Sequence, residues 1–264
     1  MPAVGNMLIP SSETPVIERS ALELLSDGKT HAAPDTNPAV PIMVSASPAY
    51  RNAIVAPSRF FFVAKRLVDV LGSALGLVVL APVLLLIAFL VRLDSRGSVF
   101  HRRRVLAQQE YAGGTLRVFD AFKFRTMIPN ADALLHSDPD LMREYRKEFK
   151  LKNDPRVTRL GDFLRRSSLD ELPQLLNVLR GQMTLVGPRM IVPAELENYG
   201  PDAAKLLSVK PGITGLWQVS GRTNITYRER VRLDMWYIEH RSLRLDLEIL
   251  LRTIGCVVQR RGAV

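Results

Sequence analysis

The chain has 264 residues, 47% of them hydrophobic, with 36 Lys and Arg against 26 Asp and Glu for a formal net charge of +10. This length and apolar content can build a sizeable core and exclude a wholly disordered chain. One cysteine, Cys256, excludes an intramolecular disulfide and a cysteine-built zinc site, and the basic balance favours anionic partners: nucleic acid, acidic lipid or phosphorylated substrates.

Residues 1–58 hold 8 of the 17 prolines, and their three basic residues against five acids leave +12 on the remainder. Pro, Ser, Thr and Ala dominate from Ala32 to Pro57, a composition that cannot bury enough apolar surface to offset its ordering entropy. The segment is therefore expected to be a disordered tail, with a short amphipathic patch over Val16–Leu25. It has no basic stretch followed by an apolar core, so it does not read as a signal peptide.

Val70 to Val91 is a run of 22 residues without a charge. As a helix it would be about 33 Å long, close to the thickness of a hydrocarbon core. Pro82 sits near its centre, where proline removes a backbone donor and bends a helix. Both flanks are basic: Arg59, Lys65 and Arg66 before, Arg92, Arg96 and Arg102 to Arg104 after. A spanning segment concentrates basic residues on one side. Basic residues on both sides favour a helix–break–helix that dips into the membrane, breaks at Pro82 and returns to the same face. Spanning stays as the alternative. The carbonyls freed at the break need local partners, and Ser73 is one candidate.

Beyond Arg104 the pattern is that of a mixed soluble domain. Residues 115–127 alternate as a short strand. Asn130 to Lys150 reads as a charged helix interrupted near Pro139, and Asp138-Pro-Asp140 as a helix start. Asp162–Arg166 and Leu169–Leu179 read as short helices, and 210–222 as turn-rich through Pro211, Gly212, Gly215 and Gly221. Tyr227–Glu239 and Leu243–Val258 read as helices. In the last, Leu247, Leu250, Leu251, Ile254 and Val258 form one apolar face, suited either to the core or to a membrane surface.

Many signatures are missing: no P-loop, no dinucleotide glycine fingerprint, no G-x-S-x-G, no H-E-x-x-H, and four scattered histidines. The segment RRSSLDELPQLLNVLRG (165–181) stands out. Ser168 and Glu171 match a capping box, and Pro173 marks a helix start, so Asp170 and Glu171 belong to a first helical turn. Two readings are open. The pair stabilises the helix end, or it acts on a bound group, because the neighbourhood is crowded with Arg156, Arg159, Arg165, Arg166, Arg180 and Arg189. A carboxylate beside anion-binding arginines can attack phosphorus or hold Mg²⁺ on a diphosphate.

The stretches 65–104, FKFRTM (122–127), 153–189, KPGITGLWQVSGR (210–222) and 233–253 resemble the monotopic phosphoglycosyl transferases, also called bacterial sugar transferases, over about residues 60–260. The resemblance implies transfer of a hexose 1-phosphate from a UDP-sugar to undecaprenyl phosphate, a polyprenyl phosphate, in exopolysaccharide assembly. It implies Asp170 as the nucleophile that forms an aspartyl-phosphosugar, with Asp170 and Glu171 at a Mg²⁺ site. Lys123, Arg165, Arg189 and Arg222 are implied to bind phosphate, and Pro82 to be the membrane break. The sequence departs from the family pattern at Gln182 (usually Asp), Thr184 (usually Ser), Met190 (usually Pro) and Asp162 (usually basic).

The expected architecture is α+β, mostly helical: a tail over 1–58, a membrane anchor with a re-entrant helix over 59–104, and a small cytosolic catalytic domain with interfacial amphipathic helices over 105–264. The expected location is the cytoplasmic face of a bacterial inner membrane. Homo-oligomerisation is left open, as is the sugar. The competing reading is a membrane-anchored, non-catalytic protein that grips acidic lipid or nucleic acid. Nucleic acid is disfavoured, since the basic run HRRR is not interleaved with aromatic stacking platforms.

Overall fold

The structure is a computed structural model describing residues 58–109, 116–148, 151, 153–220 and 226–258. The expected tail and Arg222 lie outside the described residues.

The uncharged run belongs to a 36-residue helix, α1 (Arg59–Asp94), started by Ser58, whose hydroxyl accepts from the Phe61 amide. Pro82 lies inside it, and the helix continues to either side. The expected interruption is therefore absent as a break in helical backbone. Proline costs one ladder bond, and both halves of α1 are held by the rest of the protein. Ser73 does not serve that region either; its hydroxyl donates to the Asp69 carbonyl, one turn back.

Two stretches of α1 are packed, one toward each end, with no fully buried residue between Ser73 and Ile87. In the N-terminal half the contacts are polar and directional. Asp69, 5% exposed, accepts from Thr184 Oγ1 at 2.8 Å and from the Leu185 amide at 2.8 Å. Arg66 donates to the Val178 and Leu179 carbonyls at the C-terminal end of another helix. In the C-terminal half the contacts are apolar: Ile87 and Val91 bury against Phe124 and Leu164. Arg125 closes this end by donating to the carbonyls of Val91, Ser95 and Ser98. The opposite face, including Leu67, Leu71, Leu75, Val78, Leu85 and Phe89, is exposed and apolar.

Strands β1 (Phe100–Leu106) and β2 (Val118–Phe124) pair antiparallel, with His101 opposite Lys123 and Arg103 opposite Ala121. The run HRRR, expected as a membrane flank, is thus part of a strand, and the expected boundary after Arg104 falls inside β1. Three charges in a row conceal the alternation that marks a strand. Then come α2 (Ala131–Ser137) and α3 (Pro139–Glu148). Asp138 starts α3 as expected, its carboxylate accepting from the amides of Asp140 and Leu141. Next are α4 (Arg159–Arg166), a 3₁₀ helix (Leu169–Gln174), α5 (Leu175–Leu179) and β3 (Thr184–Val186). A second 3₁₀ segment (Pro193–Asp202) leads into α6 (Ala203–Leu207).

The turn-rich reading of 210–222 is corrected over 210–220, and Gly221 lies outside the described residues. Gly212–Thr214 is strand β4, parallel to β3, and Leu216–Ser220 is helix α7. The glycine that reads as a turn permits close approach instead: a Cβ on Gly212 would come within 2.2 Å of the Gly187 nitrogen. Helix α8 (Tyr227–His240) starts with a capping box of Thr226 and Glu229. Helix α9 (Leu243–Val258) turns Asp246 and Ile249 inward and leaves Leu247, Leu251 and Ile254 exposed. Of the expected apolar face, Leu250 packs against the main core, while Leu247, Leu251 and Ile254 do not. The main core joins Val186, Ile191, Leu196, Tyr199, Leu206, Met235, Ile238 and Ile249.

Candidate active site

Four elements meet at the acidic pair. Strand β2 ends in Phe122-Lys123-Phe124, and Phe124, 2% exposed, fixes the strand in the core. Lys123 shares the other face with His101 and Arg103, directly or diagonally across the ladder. Helix α4 crosses the end of this strand so closely that a Cβ on Gly161 would meet the Thr126 carbonyl oxygen at 2.0 Å. That approach places Arg165, in the last turn of α4, where its Nε donates to Thr126 Oγ1 at 2.9 Å.

The chain then reverses through Ser168, whose φ of +56° lies in the left-handed region. Ser168 makes no side-chain cap, so the expected capping box does not form. Glu171 instead accepts from Lys123 Nζ at 2.8 Å, and Asp170 Oδ2 lies 3.8 Å from the same nitrogen. The expected first-turn position of the pair holds, but the turn is a 3₁₀ helix and both carboxylates lie at Lys123. Asn177 ties the next helix to β2: it accepts from the Phe122 amide and donates to the Asp120 carbonyl.

The two acids are electrostatically different. Burial pushes the Asp170 carboxyl up to about 6; Lys123 and Arg165 pull it down and Glu171 pushes it up. Burial also raises Glu171, but Lys123, Arg189 and Arg103 outweigh it and hold that carboxyl below its ordinary value. Near neutral pH the site therefore offers one firmly ionised carboxylate and one buried carboxylate that is ionised but basic for an aspartate. Such a group suits nucleophilic attack on phosphorus.

Of the residues expected to bind phosphate, the structure brings Lys123 and Arg165 to Asp170, and Arg189 into the field of Glu171. Pro82 lies elsewhere, on the exposed side of α1. The backbone amide of Arg189 donates to Asp234 Oδ1 at 3.3 Å, and Tyr199 donates to Oδ2 at 3.0 Å. Asp234 is wholly buried, and burial raises its carboxyl to about 7.

Sequence reading missed Arg103, Trp217, Arg230, Asp234 and Gln174. Arg103 stands in the run of three arginines that conceals the strand alternation, so no local pattern singles it out. Tyr227, Arg230 and Asp234 lie at helical spacing on one side of α8, a signal visible in the sequence. Gln174 is fully buried four residues after Asp170, and neither end of its amide has a partner among the described residues.

The four departures from the family pattern have structural roles. Gln182 accepts from Asn177 at 2.8 Å, and Thr184 donates to Asp69. Met190 packs against the cluster of Val105, Phe119 and Met183, and Asp162 pairs with Arg166 on the α4 surface.

Residues 60–260 match the family described as bacterial sugar transferase. The chain is 45% identical over 210 residues to the UDP-galactose-lipid carrier transferase of Erwinia amylovora, covering 78% of this chain and 42% of that protein. It is 45% identical over 204 residues to the exopolysaccharide production protein ExoY of Rhizobium meliloti, covering 76% and 88%. It is 40% identical over 207 residues to the UDP-glucose:undecaprenyl-phosphate glucose-1-phosphate transferase of Caulobacter vibrioides, covering 75% and 71%. Against several curated relatives the chain spans about two-fifths of their length. The matched blocks include every element that builds the acidic site, and the chain belongs to the bacterial sugar transferase family.

Proposed function

We propose that this protein transfers a hexose 1-phosphate from a UDP-sugar to undecaprenyl phosphate, with Asp170 as nucleophile. The observation that carries the reading is the buried Asp170 carboxylate beside Lys123 and Arg165, its basicity raised by burial. An Asp170 oxygen attacks the phosphorus that bears the sugar, and the bond to the bridging oxygen breaks. UMP leaves with that electron pair, while Lys123, Arg165 and Arg189 offset the charge on the phosphate oxygens. An oxygen of undecaprenyl phosphate then attacks the same phosphorus. The aspartyl–phosphorus bond breaks, and Asp170 is regenerated as a carboxylate. The sugar C1–oxygen bond is never broken, so the anomeric configuration is retained. Splitting the reaction lets a water-soluble donor and a membrane-bound acceptor be handled in turn.

The donor set fits Mg²⁺ in one form. Among the described residues no group of three His, Cys, Asp or Glu could cage a metal. Two adjacent carboxylates suit an ion that keeps waters and binds substrate phosphates. Asp170 and Glu171 would hold it, where it would neutralise diphosphate oxygens.

Helix α1 is read as re-entrant through a bend at Pro82 that keeps the helical backbone, with its ends and the active site on the cytoplasmic face. This is supported by the two packed stretches: Lys65 and Asp69 toward the start of α1, and Ile87 and Val91 toward its end, all meet the same domain. A helix crossing a bilayer could not keep both Lys65 and Val91 on the same polar body. The exposed apolar faces of α1 and α9 supply membrane contact.

The activity is tested by incubating the detergent-solubilised full chain with UDP-glucose or UDP-galactose and undecaprenyl phosphate, with and without EDTA. Release of UMP and transfer of sugar phosphate to lipid are expected, both lost with EDTA; no release from a panel of UDP-sugars overturns the reading. Topology is tested by single cysteines at Ser58 and Ser98 in a Cys256→Ser background. Both are expected to react only with a membrane-permeant reagent in intact cells. Reaction of one with an impermeant reagent shows spanning.

A further inference from the structure

Two arginines remain without acidic partners once the carboxylates of the site are assigned. The Arg189 and Arg230 guanidinium carbons lie 5.4 and 4.6 Å from the centroid of the Trp217 ring, and Arg230 also lies 5.2 Å from the Tyr227 ring. Neither guanidinium pairs with a carboxylate among the described residues. The nearby acids are committed elsewhere: Glu195 to Arg103 and to the Tyr227 hydroxyl, Asp234 to the Arg189 amide and Tyr199. Nε of Arg189, Nε of Arg230 and Nε1 of Trp217 are each buried with no acceptor among the described residues.

Three buried, unsatisfied donors around one indole are costly to leave unpaired. Two like charges add repulsion: burial and Arg189 both hold the Arg230 guanidinium below its ordinary value. An anion relieves both costs. The indole, within cation–π distance of both guanidinium groups, contributes its N–H here rather than serving as a stacking platform for a base. Guanidinium forks match phosphate oxygens in geometry and charge. Glu195 joins this cluster to the acidic site: it accepts from Arg103, diagonal to Lys123 across the ladder, and from the hydroxyl of Tyr227, whose ring Arg230 meets, so the anion would sit near the acidic pair.

We infer that Arg189, Arg230 and Trp217 Nε1 form a second phosphate-binding subsite beside Asp170 and Glu171, taking a phosphate of the donor nucleotide or the phosphate of the lipid acceptor. The inference rests on the phosphotransfer reading above. Arg230 enters it as a binding residue that no family motif quoted above includes.

The test is steady-state kinetics on the full chain with Arg230→Ala, Arg230→Lys and Trp217→Phe, varying UDP-sugar and undecaprenyl phosphate separately. For Arg230→Ala, the KM of one substrate rises about tenfold to a hundredfold, the effect of one charge-assisted phosphate contact. Arg230→Lys recovers part of that loss. Trp217→Phe keeps a ring but removes the N–H, and raises the same KM about threefold to tenfold. A rise in the donor KM alone assigns the nucleotide phosphate, and a rise in the acceptor KM alone assigns the lipid phosphate. A merely structural role lowers the active fraction and kcat while leaving both KM values unchanged, and that result overturns the inference, as does wild-type behaviour in all three variants. Equilibrium binding of UDP and of undecaprenyl phosphate to the same variants needs no turnover. If the wild type releases no UMP, the phosphotransfer reading fails alone, and unchanged binding of both probes by Arg230→Ala then overturns the subsite.

Discussion

Two of the lysine–carboxylate clusters among the described residues are built from the same residue types and put to opposite uses. In the first, Lys65 of α1 donates to Asp246 Oδ2 at 2.5 Å and to the Val186 carbonyl at 2.8 Å. The Tyr237 hydroxyl lies 2.7 Å from the other Asp246 oxygen. Each charge there has its partner and each oxygen its donor. In the second, one lysine, Lys123, faces two carboxylates, and Glu171 stays half-buried. The first cluster is closed and joins α1 to α9. The second has spare carboxylate oxygens and surplus arginines around them, which leaves room for charged substrate. Stoichiometry of charge and access, rather than residue type, separates a fastening from a site.

The largest expected effect tests the open cluster directly. Asp170→Asn removes the nucleophile, so turnover falls by at least about a thousandfold and no sugar-phosphate label remains on the protein after acid quench. Retention of label by the variant would sink the assignment. Lys123→Ala is next, at about a hundredfold in kcat/KM at neutral pH, with little change in melting temperature. Lys123 pulls the Asp170 carboxyl down from where burial puts it. The acidic limb of the rate profile, expected near pH 6 in the wild type, therefore moves to higher pH in the variant. An unmoved limb would show that Lys123 does not act on Asp170.

The closed cluster is expected to respond in the opposite sense. Lys65→Ala leaves Asp246 buried and unpaired, costing about 3 kcal/mol of stability while sparing kcat per folded molecule. A loss of kcat in fully folded protein would break the contrast between the two clusters. The smallest effect concerns the anchor of Arg189. Asp234→Asn keeps an acceptor for the Arg189 amide and can donate to Tyr199, so it costs about 1 kcal/mol or less at pH 7. In the wild type, Asp234 carries its proton up to about pH 7, where an unfolded aspartate has lost its own near the ordinary value. The folded state thus binds more protons, and this residue's contribution to stability falls as pH rises from about 4 to 7. The difference in melting temperature between wild type and Asp234→Asn should vary across that window. A constant difference would place the titration elsewhere.

Much was legible in the sequence where the governing physics is local. A run of 22 uncharged residues, Asp138 before a proline, and the helical spacing of 227–239 and 243–258 all gave elements the structure contains, because helix starts and helix periods depend on neighbours in the chain. The acidic pair and its arginines were also visible as a dense charged segment. Non-local contacts were not legible. Only the pairing of β1 with β2 brings His101 and Arg103 beside Lys123, and only the close pass of α4 over Thr126 sets Arg165 near Asp170. The Ser168–Glu171 spacing implied a cap, and the structure gave Glu171 to a lysine 48 residues away, since a buried charge gains more from an opposite charge than from an amide. The inward face of α9 carries Asp246 because Lys65 arrives from another helix to neutralise it. The sequence by itself determined which segments are helical, which is apolar enough for a membrane, and which carboxylates stand together. The tertiary structure decided which charges are paired and which are left for a substrate, because that depends on distances between segments that no local pattern encodes.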